Sequence, residues 1–400
     1  MTAVASRAVS YGRRASAALS SPGATAGAIA GLAGVIYLRA GPSSVDDAFI
    51  PLARALLAGR FVVPDGSAME LVQRGDGFSY VPFPPVPALP FMAAQLLHLT
   101  ISNPTLTAIA GAIAVALVFP LLRALQVRPA PALWVTAGFA ATLLWMAGTG
   151  GTWIYAQVLA AALLLASLNL ALRERAPMLA GLLLGLAAGS RLPAGLALPL
   201  LIYLYRRSWL QWAQLGEGVL LVALPIAWYN VVRFGSPFEF GYGAIASFNG
   251  VPTVRGEEWY ANGIESLAYI PRSLAAMLFN GFHVVTEAPW LRPDWSGLSI
   301  ALAAPIFLLA PRGWRPRLGM LALATAALVM LPNWMHGNWG FYQYGYRFLL
   351  DAMPVLLIAL ALAYRERADR WLMGAVILTL LVNAYGLWAD AANLMVGPTT

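Results

Sequence analysis

Two adjacent carboxylates, Asp46 and Asp47, stand in the run Val45-Asp46-Asp47-Ala48-Phe49-Ile50, just past the first long apolar stretch of the chain. Neighbouring carboxylates repel, so one of them gains a raised pKa or a cation partner. Either state suits a general base or a metal ligand. An aspartate ahead of an apolar helical run is also an ordinary helix cap, and the local sequence leaves both readings open. Arg191 is the next candidate. It interrupts two short apolar segments in Gly189-Ser190-Arg191-Leu192-Pro193. An arginine at such a depth is costly unless it is paired or faces water. A phosphate would be a fitting partner, because guanidinium binds it through two parallel hydrogen bonds. Snorkelling to lipid headgroups is the plainer alternative.

Arg347 and Asp351 lie four apart in Tyr344-Gly345-Tyr346-Arg347-Phe348-Leu349-Leu350-Asp351, a spacing that lets them pair on one helix face. The other reading makes Arg347 a second cation for an anionic substrate head, with Tyr346 beside it. The run from Asn230 to Gly243 holds Arg233, Glu239 and four aromatic residues. Aromatic faces with a few polar groups stack on sugar rings, and they also anchor in headgroups. Tyr80 sits in Gly77-Phe78-Ser79-Tyr80-Val81-Pro82-Phe83-Pro84-Pro85-Val86-Pro87, a proline-rich turn in which this tyrosine is the residue suited to touch a ligand.

The three histidines, His98, His283 and His336, are far apart and lack any metal-binding spacing, so a histidine-based zinc site is not expected. Of the three, His336 is the candidate binding residue, because it lies in an aromatic loop from Asn333 to Gly345. There is no cysteine, which excludes disulfides and thiolate chemistry. There is no Walker motif and no GxSxG elbow, and Gly148-Thr149-Gly150-Gly151-Thr152 reads as a tight turn.

These candidates must be held by membrane-embedded elements. Of the 400 residues, 60% are hydrophobic and 10% charged, far below the charge fraction of about 25% in soluble domains. A single soluble core could not hide so much apolar surface, whereas a bilayer can, and helices satisfy their own backbone there. The pattern predicts an all-α, polytopic integral membrane protein, one domain over 1–400, with about eleven transmembrane helices. The spans fall near 23–40, 104–122, 131–147, 154–172, 177–189, 192–205, 215–232, 298–311, 318–332, 346–364 and 371–389. The segment 84–101 is apolar but carries Pro84, Pro85, Pro87 and Pro90, and reads as juxtamembrane or re-entrant.

With that choice the arginines sort by side. Fifteen arginines and four acids fall inside, ten arginines and thirteen acids outside. This is the positive-inside asymmetry, and it accounts for the net charge of +8 without nucleic acid. The expected topology has a cytoplasmic N-terminus over 1–22, a first extracytoplasmic loop over 41–103 and a second over 233–297. Arg7, Arg13 and Arg14 precede the first span as in an uncleaved signal anchor. Inner loops are short and outer loops long, so the chemistry is expected outside.

The order of these features resembles the GT-C superfamily of membrane glycosyltransferases, in a bacterial subfamily. Asp46-Asp47 matches the acidic pair after the first span, and Pro84-Pro85-Val86-Pro87 the proline-containing juxtamembrane segment. Gly189-Ser190-Arg191 is similar to a mid-chain arginine hinge, and Gly345-Tyr346-Arg347-Phe348 to the start of a late span. The run from Asn230 to Gly241, with Arg233-Phe234-Gly235-Ser236-Pro237 at its centre, is similar to one in such bacterial members. The chain departs from the large members by having no soluble C-terminal domain. The resemblance implies inverting transfer of a sugar from a polyprenyl-phosphate donor to an acceptor hydroxyl, on a lipid or cell-envelope glycan, at the outer face of the cell membrane. It implies that Asp46 acts as base, that Asp47 positions it or binds a divalent cation such as magnesium or manganese, and that Arg191 and Arg347 stabilise the leaving phosphate. Two rivals are a transporter or flippase for an amphipathic anion and a headgroup transferase. A transporter should show charges deep in its spans and symmetry between halves, and neither is evident.

Overall fold

Local signals start and stop the long helices. In the computed structural model, which describes residues 21–40, 46–247 and 251–397, Ser21 Oγ caps α1 (Pro22–Ala40) by accepting from Ala24 N–H. The early arginines Arg7, Arg13 and Arg14, and Val45 at the start of the acidic motif, lie outside the described residues. Ser102 caps α4 (Asn103–Ala124), Ser208 caps α10 (Trp209–Phe234), and Asp369 caps α15 (Arg370–Ala391) by accepting from Trp371 and Leu372 N–H. Gly235, at φ 75°, ends α10 in the left-handed conformation that an L-residue adopts at a cost.

Six helices among the described residues are long and apolar enough to cross a membrane. They are α1, α4, α7 (Thr152–Ala171), α10, α13 (Arg317–Met335) and α15. The other expected spans are shorter or broken. The stretch 131–147 forms α5 (Pro129–Thr142) and α6 (Leu144–Thr149), with one turn at Leu143 between them. The stretch 177–189 is α8 (Pro177–Ala188), and 346–364 holds α14 (Leu349–Ala363). Prolines govern the remaining two. Pro193 opens a 3-10 turn over Leu192–Ala197 before α9 (Leu198–Leu204), and Pro305 opens another over Pro305–Gly313 after α12 (Ile300–Ala303). Proline lacks the N–H that a continuous α-helix requires at these points.

Between α1 and α4 lie α2 (Phe49–Leu57), β1 (Val63–Pro64), β2 (Val72–Gln73), β3 (Phe78–Tyr80) and α3 (Ala88–Leu96). The segment 84–101 contributes only the nine-residue α3, far short of the roughly twenty residues a crossing needs. The strands form an antiparallel sheet in the order β1-β3-β2, with Val63 opposite Ser79 and Val72 opposite Tyr80. A satellite core fixes this layer to the bundle. Phe49 and Leu52 of α2, Phe91 of α3, and Val63, Leu71 and Val81 of the sheet region bury against Tyr155 of α7. Phe49 and Phe91 meet the Tyr155 ring edge-on at 6.1 Å and 5.5 Å.

The region 233–297 is more structured than a plain loop. It holds α11 (Ile270–Phe279) and a hairpin of β4 (Phe282–Val284) with β5 (Leu291–Pro293). It also closes over the sheet. Ala246 N–H donates to Leu71 O at 3.1 Å, and Val72, Ile245, Val254 and Tyr260 share a small core.

The helix ends sort into two groups. One end gathers the N-termini of α7 and α14 with the C-termini of α8, α10 and α13, and carries the sheet layer. At the opposite end the connections carry twelve arginines: 123, 128, 173, 175, 206, 207, 312, 315, 317, 365, 367 and 370. Several are paired there, as in Arg128–Glu366 at 2.8 Å and Arg207–Glu174 at 3.1 Å.

Candidate functional site

A cavity of about 680 Å³ opens at the end that carries the sheet. Its wall includes Thr152 and Trp153 at the start of α7, Ser190 and Arg191 after α8, His336 after α13, and Arg347 and Phe348 before α14. Backbone conformation places the first of these. Gly150 and Gly151 turn the chain at φ 81° and 103°, as the tight-turn reading requires, and a Cβ on Gly150 would lie 2.9 Å from Pro104 Cα. Gly243 plays a different part on the facing wall. A Cβ there would collide with the Arg255 guanidinium, so glycine leaves room for Arg255 beside it in the cavity wall.

The two key arginines differ in their partners. Arg191 Nη2 lies 3.0 Å from Asp351 Oδ2 and 3.0 Å from Asn333 Oδ1, and Asn333 Nδ2 also donates to Asp351 Oδ2 at 3.0 Å. The expected pairing of Arg347 with Asp351 along one helix face therefore does not form. Arg347 precedes the first turn of α14, and Asp351 is already taken by Arg191. Arg347 is 6% exposed and has no carboxylate within ion-pair distance among the described residues. Its Nη1 donates to Gln157 Oε1 at 3.3 Å, and its Nε is buried without a partner. Such an orphan costs roughly 1–3 kcal/mol. The Phe348 ring lies beneath both guanidinium groups, at 5.5 Å from Arg191 and 4.8 Å from Arg347, while Trp153 lies 5.5 Å from Arg347.

Glu70, which sequence reasoning passed over, shares this cavity. It sits in the loop between β1 and β2, where its Oε2 accepts from Trp153 Nε1–H at 2.8 Å. Burial pushes its carboxyl up to about 7. The Trp153 hydrogen bond and the Arg347 charge oppose that rise, and the charges of Asp46 and Glu257 add to it.

The acidic pair lies one residue behind the wall. Asp46 does not line the cavity. Its Oδ1 accepts from Met69 N–H at 2.8 Å and its Oδ2 from Thr152 Oγ1–H at 2.8 Å. Asp46 thus braces the residues just before Glu70 and Trp153. Asp47 caps α2, its Oδ1 accepting from Phe49 N–H at 2.7 Å and Ile50 N–H at 3.2 Å. Asp47 Oδ2 is buried without a hydrogen bond. Burial raises the Asp47 carboxyl, the Phe49 and Ile50 bonds hold it down, and the Asp46 charge raises it again. Among the described residues no three His, Asp or Glu side chains converge, so the divalent cation considered for Asp47 has no built ligand set.

His336 lines the cavity, with Nε2 at 3.4 Å from both Tyr242 Oη and Tyr260 Oη. Burial, together with Arg191, Arg347 and Arg272, pushes it down to about 3, so it is a neutral ring at physiological pH. Glu239 also lines the cavity and accepts from Gly241 N–H at 2.6 Å. Three expected binding residues lie outside the wall. Arg233 is buried in α10, donating to Val81 O and Asn230 Oδ1 with its guanidinium 3.7 Å from the Tyr229 ring centre. Tyr80 packs edge-on against Phe234 at 5.3 Å. Tyr346 is buried, with its hydroxyl unpartnered. Hydropathy could not separate these from cavity residues, because aromatic and arginine side chains pack structurally as readily as they bind.

A cavity that holds a guanidinium without a carboxylate partner, a titratable carboxylate and aromatic faces can grip an oxyanion and move a proton beside it. Comparison with protein-family models, curated proteins and solved structures found no match.

Proposed function

We propose that this protein is a membrane glycosyltransferase that moves a sugar from a polyprenyl-phosphate donor to an acceptor hydroxyl, with inversion, on the extracytoplasmic face. In this reading the chain crosses the membrane about eleven times, the shorter helices and 3-10 segments completing the six long ones. The arginine-rich end faces the cytoplasm, where anionic lipids attract it, and the cavity faces outward.

The chemistry needs three things. A cation must stabilise the phosphate as the bond from C1 to the phosphate oxygen breaks and its electron pair leaves with that oxygen. A carboxylate must take the acceptor proton while the acceptor oxygen bonds C1. The sugar needs a flat apolar wall with polar edges. Arg347 meets the first need, with Arg191 beside it. Phe348, Trp153 and His336 meet the third. For the second the sequence offers Asp46, bonded to the Thr152 of the wall. The acceptor is a lipid or cell-envelope glycan.

The observation that carries the reading is Arg347: a buried guanidinium without a carboxylate partner, its Nε unsatisfied, in the wall of an open cavity that also holds an acid. The test uses purified protein in vesicles with a fluorescent polyprenyl-phosphate sugar. Donor consumption with release of polyprenyl phosphate is expected. Movement of intact donor across the bilayer without consumption would replace this reading with a transporter.

A further inference from the structure

We infer that Glu70 is the carboxylate that accepts the acceptor proton, and that Asp46 is a positioning residue acting through it. The inference rests on the glycosyl-transfer reading. Three observations separate the two acids. Glu70 lines the cavity and Asp46 does not. Both carboxylate oxygens of Asp46 accept hydrogen bonds, from Met69 N–H and Thr152 Oγ1–H. Glu70 uses Oε2 for Trp153, and its Oε1 has no hydrogen bond among the described residues. A base must keep a lone pair within reach of the substrate hydroxyl, and in Glu70, a residue of the cavity wall, Oε1 is the oxygen that Trp153 leaves open.

The arrangement also explains why Asp46 matters. It holds Met69 on one strand connection and Thr152 at the start of α7, and these are the neighbours of Glu70 and Trp153. Loss of Asp46 therefore loosens Glu70 and the Trp153 indole that orients it, without removing the group that takes the proton. In the step itself, Glu70 Oε1 receives the hydroxyl proton as the acceptor oxygen bonds C1. The bond from C1 to the phosphate oxygen breaks, and the pair of electrons leaves on the phosphate beside Arg347.

Charged and titratable groups face Glu70 from several elements. Asp46 lies on the first loop, Glu257 on the second, and Arg347 ahead of α14, with Tyr242, Tyr260 and the neutral His336 around the cavity. Like charge from Asp46 raises the Glu70 carboxyl, so removing Asp46 lowers it.

The test compares wild type, Glu70→Gln, Glu70→Asp and Asp46→Asn in vesicles with the fluorescent donor, across pH 5 to 9. Glutamine keeps the acceptor for Trp153 Nε1–H, and donor binding read by fluorescence polarisation reports a folded cavity. Expected for Glu70→Gln is donor binding within a few-fold of wild type and transfer reduced roughly 10²–10⁴-fold at every pH. Glu70→Asp recovers part of the rate. Wild-type transfer rises with pH through about 7, as the base ionises, and levels off above it. Asp46→Asn keeps measurable transfer, and its rise moves to lower pH. The outcome that overturns Glu70 alone is an active wild type with Glu70→Gln within twofold of it and Asp46→Asn inactive at all pH. A wild type that binds donor and never consumes it overturns the transfer reading itself, and the Glu70 assignment with it.

Discussion

Arg191 and Asp351 lie 160 residues apart in sequence and close an ion pair of 3.0 Å at the cavity wall. The pair decides which arginine is free. Asp351 is fully enclosed and shared between Arg191 and Asn333, so the guanidinium of Arg347 is left to Gln157, two aromatic rings and the open cavity.

Arg347 is therefore the residue whose loss should weaken handling of the donor phosphate. Arg347→Gln is expected to lower kcat/KM by roughly 10²–10³-fold, the size seen when one stabilising donor is removed from a developing anion. Arg347→Lys should recover only a small part, because an ammonium lacks the planar fork that matches a phosphate. Steady-state transfer with the fluorescent donor measures both, and wild-type rates in Arg347→Gln would remove the phosphate site.

The pair beside it is mainly structural. Arg191→Met leaves Asp351 enclosed without its cation, and breaking such a pair costs roughly 3–5 kcal/mol. A marked fall in the thermal unfolding midpoint in detergent is expected. The double variant Arg191→Met with Asp351→Leu removes both charges and should unfold above the single variant. Equal midpoints for the single and double variants would mean that the two side chains are not coupled.

The turn ahead of Thr152 gives a backbone test. Gly151 has φ 103° and ψ 165°, a region essentially reserved for glycine, and Gly151 N–H donates to Asn103 Oδ1 at 2.8 Å. Gly151→Ala should cost about 1–3 kcal/mol. Gly150→Ala should cost more, because its Cβ also meets Pro104. Chemical denaturation in mixed micelles reads both. A neutral effect at Gly150 would mean that the turn relaxes without loss.

Orientation has a direct test, helped by the absence of native cysteine. Glu239 is at the cavity end and Glu366 is exposed at the arginine-rich end. In intact cells a membrane-impermeant maleimide should label Glu239→Cys and leave Glu366→Cys unlabelled until the cells are opened. The reverse pattern would turn the molecule over and put the cavity in the cytoplasm.

The sequence by itself determined that the chain is mostly helical, where the helices long and apolar enough to cross a membrane lie, and that its arginines fall unevenly between the connections. These properties are local and additive: a run of apolar residues is legible without knowing its neighbours. It also picked out Asp46, Arg191, Arg347, Glu239 and His336, all at or within one residue of the cavity wall. Only the tertiary structure decided how they differ. Spacing suggested that Arg347 pairs with Asp351, but Arg191, in the break between α8 and the 3-10 turn, took that carboxylate. Asp47, one half of the acidic pair, became a helix cap. Arg233, in a run that looked like a binding segment, became a buried brace. Glu70 gave no signal at all, as a single acid between Met69 and Leu71 has neither period nor motif. Its carboxyl is pushed up by burial and held back by the hydrogen bond of Trp153, 83 residues away, and by the charge of Arg347. Burial and charge act through space, so they become visible only when the chain has closed on itself.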